Sequence, residues 1–181
     1  MSKLSIRELK KKLNKKTKAE LIDEIVALSK KFKQVKEYYY TQDDPSKLEE
    51  TLKKYKEIIE KEFIEGKTRG FPKLRFSVAR KAINDFKKIS KEPKYLVELM
   101  LCYAESVSWF SSEFGPDSEE FYTKPENLFE EALQLASQHN IEEIFRVQAY
   151  EIVVNACEGW GHQDTLREIF LNTYGDLNTA K

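Results

Sequence analysis

The stretch YLVELMLCYAESVSWF, residues 95–110, constrains the fold more than any other part of the chain. Its only charges are Glu98 and Glu105, and its apolar side chains cover most of a helical projection. A helix that is apolar around most of its circumference must be covered on most sides, so the stretch predicts a central helix from about Lys91 to Ser112 with other helices packed around it. It is shorter than the roughly 20 apolar residues that cross a bilayer. No other apolar run in the chain is longer, so no membrane association is expected.

The flanking sequence has the same period of three to four. Ile6, Leu9 and Leu13 form one face of a short helix over residues 5–13. Thr17-Lys18-Ala19-Glu20 has the form of a capping box. Leu21, Ile22, Ile25 and Leu28 follow it, and Phe32, Val35 and Tyr39 carry the pattern into a third segment ending near Tyr40. Asp44 and Pro45 suit the N-cap and first position of a helix striped by Leu48, Leu52, Tyr55 and Ile59. EGKTRGFPK, residues 65–73, is the clearest loop. A helix from about Ser77 to Ile89 precedes the central one. After Gly115-Pro116-Asp117, a short piece around Phe121 and Tyr122 leads to Pro125, which suits the first turn of a helix through Ser137. Asn140 with Glu143 reads as a second capping box, opening a helix that carries Ile144, Val147, Ile152, Val153 and Cys157. A last helix runs from about Thr165 to Tyr174.

The expected fold is therefore all-α: a single domain of eight or nine short antiparallel helices, an N-terminal helical hairpin docked on a helical array, with solenoid-like stacking as one arrangement of residues 77–174. With 40% hydrophobic residues in 181, the chain can bury one core. Residues 1–41 form a basic hairpin plus third helix, and 42–181 the main helical unit. The first segment has too little apolar surface to stand alone and is expected to dock on the rest.

The zero net charge conceals a division. Residues 1–94 hold 27 Lys+Arg and 15 Asp+Glu, a balance of +12, whereas residues 95–181 hold 4 and 16, a balance of −12. Such a dipolar chain is suited to pairing of its halves within or between copies, or to a charged partner. Lys10, Lys11, Lys12, Lys15, Lys16 and Lys18 bunch around the first turn, and Lys67, Arg69 and Lys73 lie in the loop. These nine are the candidate partner or polyanion contacts. A lysine group at the end of a helix pair can lie along phosphates. It can equally be a solvated face.

CEGWGHQD, residues 157–164, brings together chemically versatile side chains. It reads as the end of one helix near Glu158, with Gly159 at the left-handed position, Trp160 packed back on the preceding turn and Asp164 capping the next helix. Glu158 and His162 are separated by glycines that break the helix needed to align them as metal ligands. Gly66-Lys67-Thr68 lacks the glycine and the strand that a phosphate-binding loop requires. Cys102 lies in an apolar run that suits an inert thiol. No nucleophile elbow is present, and with two histidines a general base is scarce. No catalytic, metal or cofactor residue is assigned and no enzymatic activity is expected. Tyr38, Tyr39 and Tyr40 point in different directions on a helix, so at least one should face the larger unit, a partner or a ligand.

The stretch LSIRELKKKLNKKTKAELIDEI resembles the SAP DNA-binding helix pair in its Leu4, Leu9, Leu13 rhythm and its TKAEL. It departs from SAP in the turn, where Asn14-Lys15-Lys16 replaces a longer Gly-containing linker. The same pair is similar to a hairpin found beside SWIM-type zinc fingers, without their zinc ligands. On the leucine helix, ELI-x-EI helix and VKEYY rhythm of residues 9–39, and on NACEGWGHQDTL near the C-terminus, most of the chain resembles an uncharacterised family of small bacterial all-helical proteins. That resemblance implies an all-α fold and a bacterial setting, and no activity. Two cysteines and no export signal favour the cytoplasm. The expected function is a non-enzymatic interaction or scaffold protein that binds a protein partner or itself. The alternative is nucleic-acid binding through the basic half.

Overall fold

The computed structural model describes residues 4–42, 44–64 and 71–177. Among them are nine α-helices and no strand: α1 (Ile6–Leu13), α2 (Lys18–Lys31), α3 (Lys33–Thr41), α4 (Pro45–Phe63), α5 (Phe76–Ile89), α6 (Pro93–Phe114), α7 (Glu120–Gln138), α8 (Glu142–Asn155) and α9 (His162–Tyr174). A 3-10 turn, Gly159–Gly161, lies between the last two.

The apolar stretch forms the centre of the fold. α6 packs against α4, α5, α7 and α8, most extensively against α7. Val97, Leu99, Leu101, Ala104 and Val107 are fully covered. Phe63 stands 5.9 Å from Tyr103, Phe76 4.8 Å from Phe121, and Phe121 5.2 Å from Phe110, so aromatic rings tie the end of α4 and the starts of α5 and α7 to α6. Each fully buried phenylalanine here stabilises the fold by about 1.5–3 kcal/mol. α9 closes the array against α7 and α8.

Two local expectations are corrected. Pro125 does not begin α7 but lies inside it, within one helix that includes Phe121 and Tyr122. A proline at this position leaves the carbonyl four residues earlier, that of Phe121, without its amide donor. Ser111 of α6 replaces the donor, its hydroxyl lying 3.0 Å from Phe121 O, so the helix continues through the proline. Asn140 does not cap α8: its φ is +54°, a left-handed turn residue, and the N-cap is Ile141 with no side-chain cap bond. Asparagine tolerates this conformation better than most residues. A third finding concerns the face of α8. Phe145, Ala149, Ile152 and Val153 are buried, whereas Ile144 and Val147 face outward at 58% and 55% exposure. The helix is apolar on two sides, and the apolar residues read from the sequence are divided between them.

The N-terminal segment meets the array through its third helix. α3 packs on α4 and α5, with Tyr55 Oη donating to Glu37 at 2.8 Å and Tyr40 Oη to Glu50 at 3.2 Å. α2 packs on α3, and neither α1 nor α2 has a buried residue. The docking expected of residues 1–41 is thus made by α3.

Candidate functional site

α1 and α2 are each well specified locally. Ser5 accepts from Glu8 N while Glu8 accepts from Ser5 N, and Thr17 and Glu20 repeat the arrangement, giving both helices a complete capping box. These bonds hold the Glu8 and Glu20 carboxyls below their ordinary range, chiefly through the backbone donors of Ser5 and Thr17. Lys16 Nζ lies 2.5 Å from Glu24, fastening the turn to α2. The apolar positions of both helices remain open. Leu4, Ile6 and Leu9 are exposed around α1, and Ile22, Ile25, Val26 and Leu28 on α2, followed by Phe32.

Of the nine candidate contact residues, six lie on this hairpin. Lys10, Lys11, Lys12, Lys15 and Lys18 are exposed, and none joins an ion pair among the described residues. Lys16 is engaged with Glu24. Lys67 and Arg69, with the whole Gly66-Lys67-Thr68 motif, lie outside the described residues. Lys73 is exposed beside the C-terminal end of α4, where the Leu74 amide donates to Glu62 O at 2.9 Å and Arg75 grips the Glu62 carboxylate at 2.7 and 3.0 Å. α3, which carries the hairpin, docks on α4 through Glu50 and Tyr55, near its other end and middle. The two lysine groups therefore have separate supports.

The tyrosine triplet divides its roles. Tyr38 lines a cleft of about 500 Å³ with Thr41, Leu48, Lys91 and Tyr95. Tyr40 bonds to α4, and Tyr39 stays exposed.

CEGWGHQD is folded differently from the expected helix end. α8 stops at Asn155, with Ala156 extended. Cys157 is therefore off the helix, and its carbonyl accepts from Gln163 N at 3.2 Å. Gly159 is not left-handed; Trp160 (φ +58°) and Gly161 (φ +70°) are. Trp160 is 63% exposed and stacks on Tyr122 of α7 rather than on α8. α9 begins at His162, so Asp164 sits in its first turn instead of capping it.

His162, which an N-cap at Asp164 would place in the loop, instead begins α9 and is the most enclosed polar side chain of this region. It is 0% exposed, with Nδ1 at 2.7 Å from Glu126 Oε1 and Nε2 at 2.9 Å from Ser108 Oγ. In the tautomer with the proton on Nδ1, the ring donates to the carboxylate and the Ser108 hydroxyl donates to Nε2. Serine, histidine and glutamate in this order match the connectivity of a nucleophile, base and orienting group. The surroundings are enclosed: Ser108 is 3% exposed, and the clefts of about 500 and 570 Å³ are lined by other residues. The three residues, on α6, α7 and α9, form a polar clasp among core helices. Their separation in sequence, at 108, 126 and 162, leaves no local spacing that could have revealed it.

Cys102 is buried, which pushes its thiol up to about 12, and both cysteines are free. Among the described residues no group of histidine, cysteine and carboxylate side chains is placed to hold a metal ion, and no helix is long and apolar enough to cross a membrane.

Nothing among curated proteins or solved structures matches the chain. A family profile does, over residues 1–172, which takes in the capped hairpin, the central helix and the clasp alike. The chain belongs to that family, DUF6155, a family of unknown function.

Proposed function

We propose that this is a non-enzymatic helical interaction protein of the cytoplasm whose α1–α2 hairpin binds a polypeptide partner. One observation carries the reading: the two capped helices α1 and α2 expose large apolar side chains and bury none of their own residues. Helices of 8 and 14 residues are marginal in water when nothing packs on them. A group of large apolar side chains on such helices is the usual mark of a surface that a partner covers. The hydroxyl and imidazole of the clasp are buried, its carboxylate is partly exposed, and all three serve packing in this reading.

Nucleic-acid binding is the second reading, favoured by the unpaired, exposed lysines 10, 11, 12, 15 and 18 among the described residues. Phosphate contact accounts for those lysines. It leaves Ile22, Ile25 and Val26 in water, so the polypeptide reading explains more of the surface.

A photo-cross-linking residue in place of Ile22, activated in cells that produce the protein, tests this. Discrete polypeptide adducts are expected. Adducts to nucleic acid would move the assignment to the second reading, and a hairpin with no adduct in any growth condition would overturn both.

A further inference from the structure

The open face of the hairpin has a counterpart on the same chain. The outward side of α8 carries Ile144, Val147, Glu151 and Val154, spaced by three, four and three residues, all exposed. This is a second apolar stripe on a helix whose other side already faces α6 and α9. Its surroundings are acidic: Glu143, Glu151 and Glu158 are exposed along it, and Asp164 and Glu168 on α9. The α2 stripe of Ile22, Ile25 and Val26 has Glu20 and Asp23 exposed beside it as well as Lys18 and Lys30, but it belongs to a segment of the opposite balance, residues 4–31 holding 9 Lys+Arg and 4 Asp+Glu. α2 and α8 are each 14 residues long, about 21 Å at 1.5 Å per residue. α2 sits on α3, which packs on α4 and α5, whereas α8 packs on α6 and α9, so the two stripes belong to different parts of the array.

We propose that the partner of the hairpin is a second copy of this chain, which it meets at the Ile144–Val147–Val154 face of α8. The proposal rests on reading the hairpin as an interaction element and names its occupant. Two stripes on helices of equal length, one in a basic segment and one in an acidic part of the array, are complementary in charge. The halves that carry them balance at +12 and −12, so each joint between copies brings opposite signs together. The contact is heterologous, since each copy offers a different surface to each neighbour. Copies therefore add head to tail, into a ring if the rotation closes and a chain if it does not.

Two variants of the full chain test the geometry by sedimentation velocity across a micromolar concentration series. Ile22→Asp with Val26→Asp disables the hairpin and leaves α8 intact. Ile144→Asp with Val147→Asp does the reverse. All four positions are exposed, and circular dichroism checks that helicity is kept. The unmodified chain should self-associate, and less so as salt rises. Each variant alone should associate at least about tenfold more weakly, since the substitutions place charge at the apolar centre of the contact. An equimolar mixture should give a one-to-one heterodimer that grows no further, because one good face remains on each variant. An α8 variant that still self-associates like the unmodified chain would show hairpin-to-hairpin pairing and overturn the proposal. An unmodified chain that stays monomeric at low salt would overturn it too. Adducts from Ile22 to other polypeptides would then leave the interaction reading standing with a different partner. Hairpin-dependent binding of the monomer to anionic lipid vesicles would assign the face to a membrane surface and equally exclude the second copy.

Discussion

His162 Nδ1 lies 2.7 Å from Glu126 Oε1, so a ring with no exposed surface joins the start of α9 to α7. The other ring nitrogen reaches Ser108 on α6, and one imidazole thus ties three core helices together. Removing it leaves a cavity and two polar groups without their partner. His162→Ala should lower the unfolding free energy by about 3 kcal/mol, and Ser108→Ala by about 1 kcal/mol. Urea denaturation followed by circular dichroism measures both. Equal, negligible losses would mean that the clasp contributes nothing to stability.

Acid should loosen the fold at two carboxylates. Burial opposes charging of Glu62, but hydrogen bonds from the Arg75 side chain and backbone outweigh it and hold the group below its ordinary 4.5. At Asp85 burial is likewise outweighed, by bonds from Lys81, Lys88 and Gln34, which hold it below 3.8. A carboxyl whose value is lower in the folded than in the unfolded state contributes stability that is complete above the unfolded value. That contribution is lost as pH falls through the folded one. Thermal midpoints should therefore be steady from neutrality to about pH 5 and fall below it. Glu62→Gln should lower the neutral midpoint and flatten the acid decline. A decline of unchanged steepness in that variant would assign it to other groups.

The attachment of α3 should depend on Tyr55. Its ring is buried against Phe86, 5.5 Å away, and its hydroxyl donates to Glu37 at 2.8 Å. Burial and the adjacent carboxylate both push the phenol well above its ordinary value, so it remains a donor at any working pH. Tyr55→Phe keeps the ring and removes the bond. The expected loss is about 1.5 kcal/mol, within the range for a bond to a charged group. The amides of α3 should exchange faster while those of α7 do not change.

The two tryptophans should report different environments. Trp160 is exposed on the face of Tyr122, and Trp109 is partly buried against the core. Acrylamide should quench two populations, and Trp160→Phe should abolish the more accessible one. A single homogeneous population in the unmodified protein would contradict the placement of the Trp160 turn.

The sequence revealed those features whose cause is local. The central position of α6 follows from its nearly unbroken apolar surface, and the starts of α2 and α4 follow from Thr17, Glu20 and Asp44, whose side chains bond within four residues, and from Pro45, whose ring fixes φ at the first helical position. The features it concealed depend on distant parts of the chain. Pro125 looked like a helix start because the donor that rescues its helix, Ser111, belongs to α6. Ile144 and Val147 could not be told from core residues because α8 has two apolar sides, and only the placement of α6 and α9 decides which is covered. His162 looked like loop because Gly159 and Gly161 flank Trp160 ahead of it, whereas its partners arrive from α6 and α7.

Hydrogen exchange should separate the hairpin from the array and, at the same time, show what covers it. Amides in α6 between Leu99 and Val107 lie in the covered core and should open only with global unfolding. In a lone chain, α1 and α2 have capping boxes, one cross-turn ion pair and the packing of α2 on α3, but no buried residue. Capping is worth about 1 kcal/mol per helix and cannot hold helices of this length on its own. Their amides should therefore exchange at low protein concentration with opening free energies of about 1–2 kcal/mol. Raising the concentration should slow exchange in α2 and in α8 together, because one contact covers a face of each. Slowing in α2 alone would mean that the hairpin pairs with another hairpin. Strong protection of α2 that does not vary with concentration would mean that the hairpin is packed within its own chain.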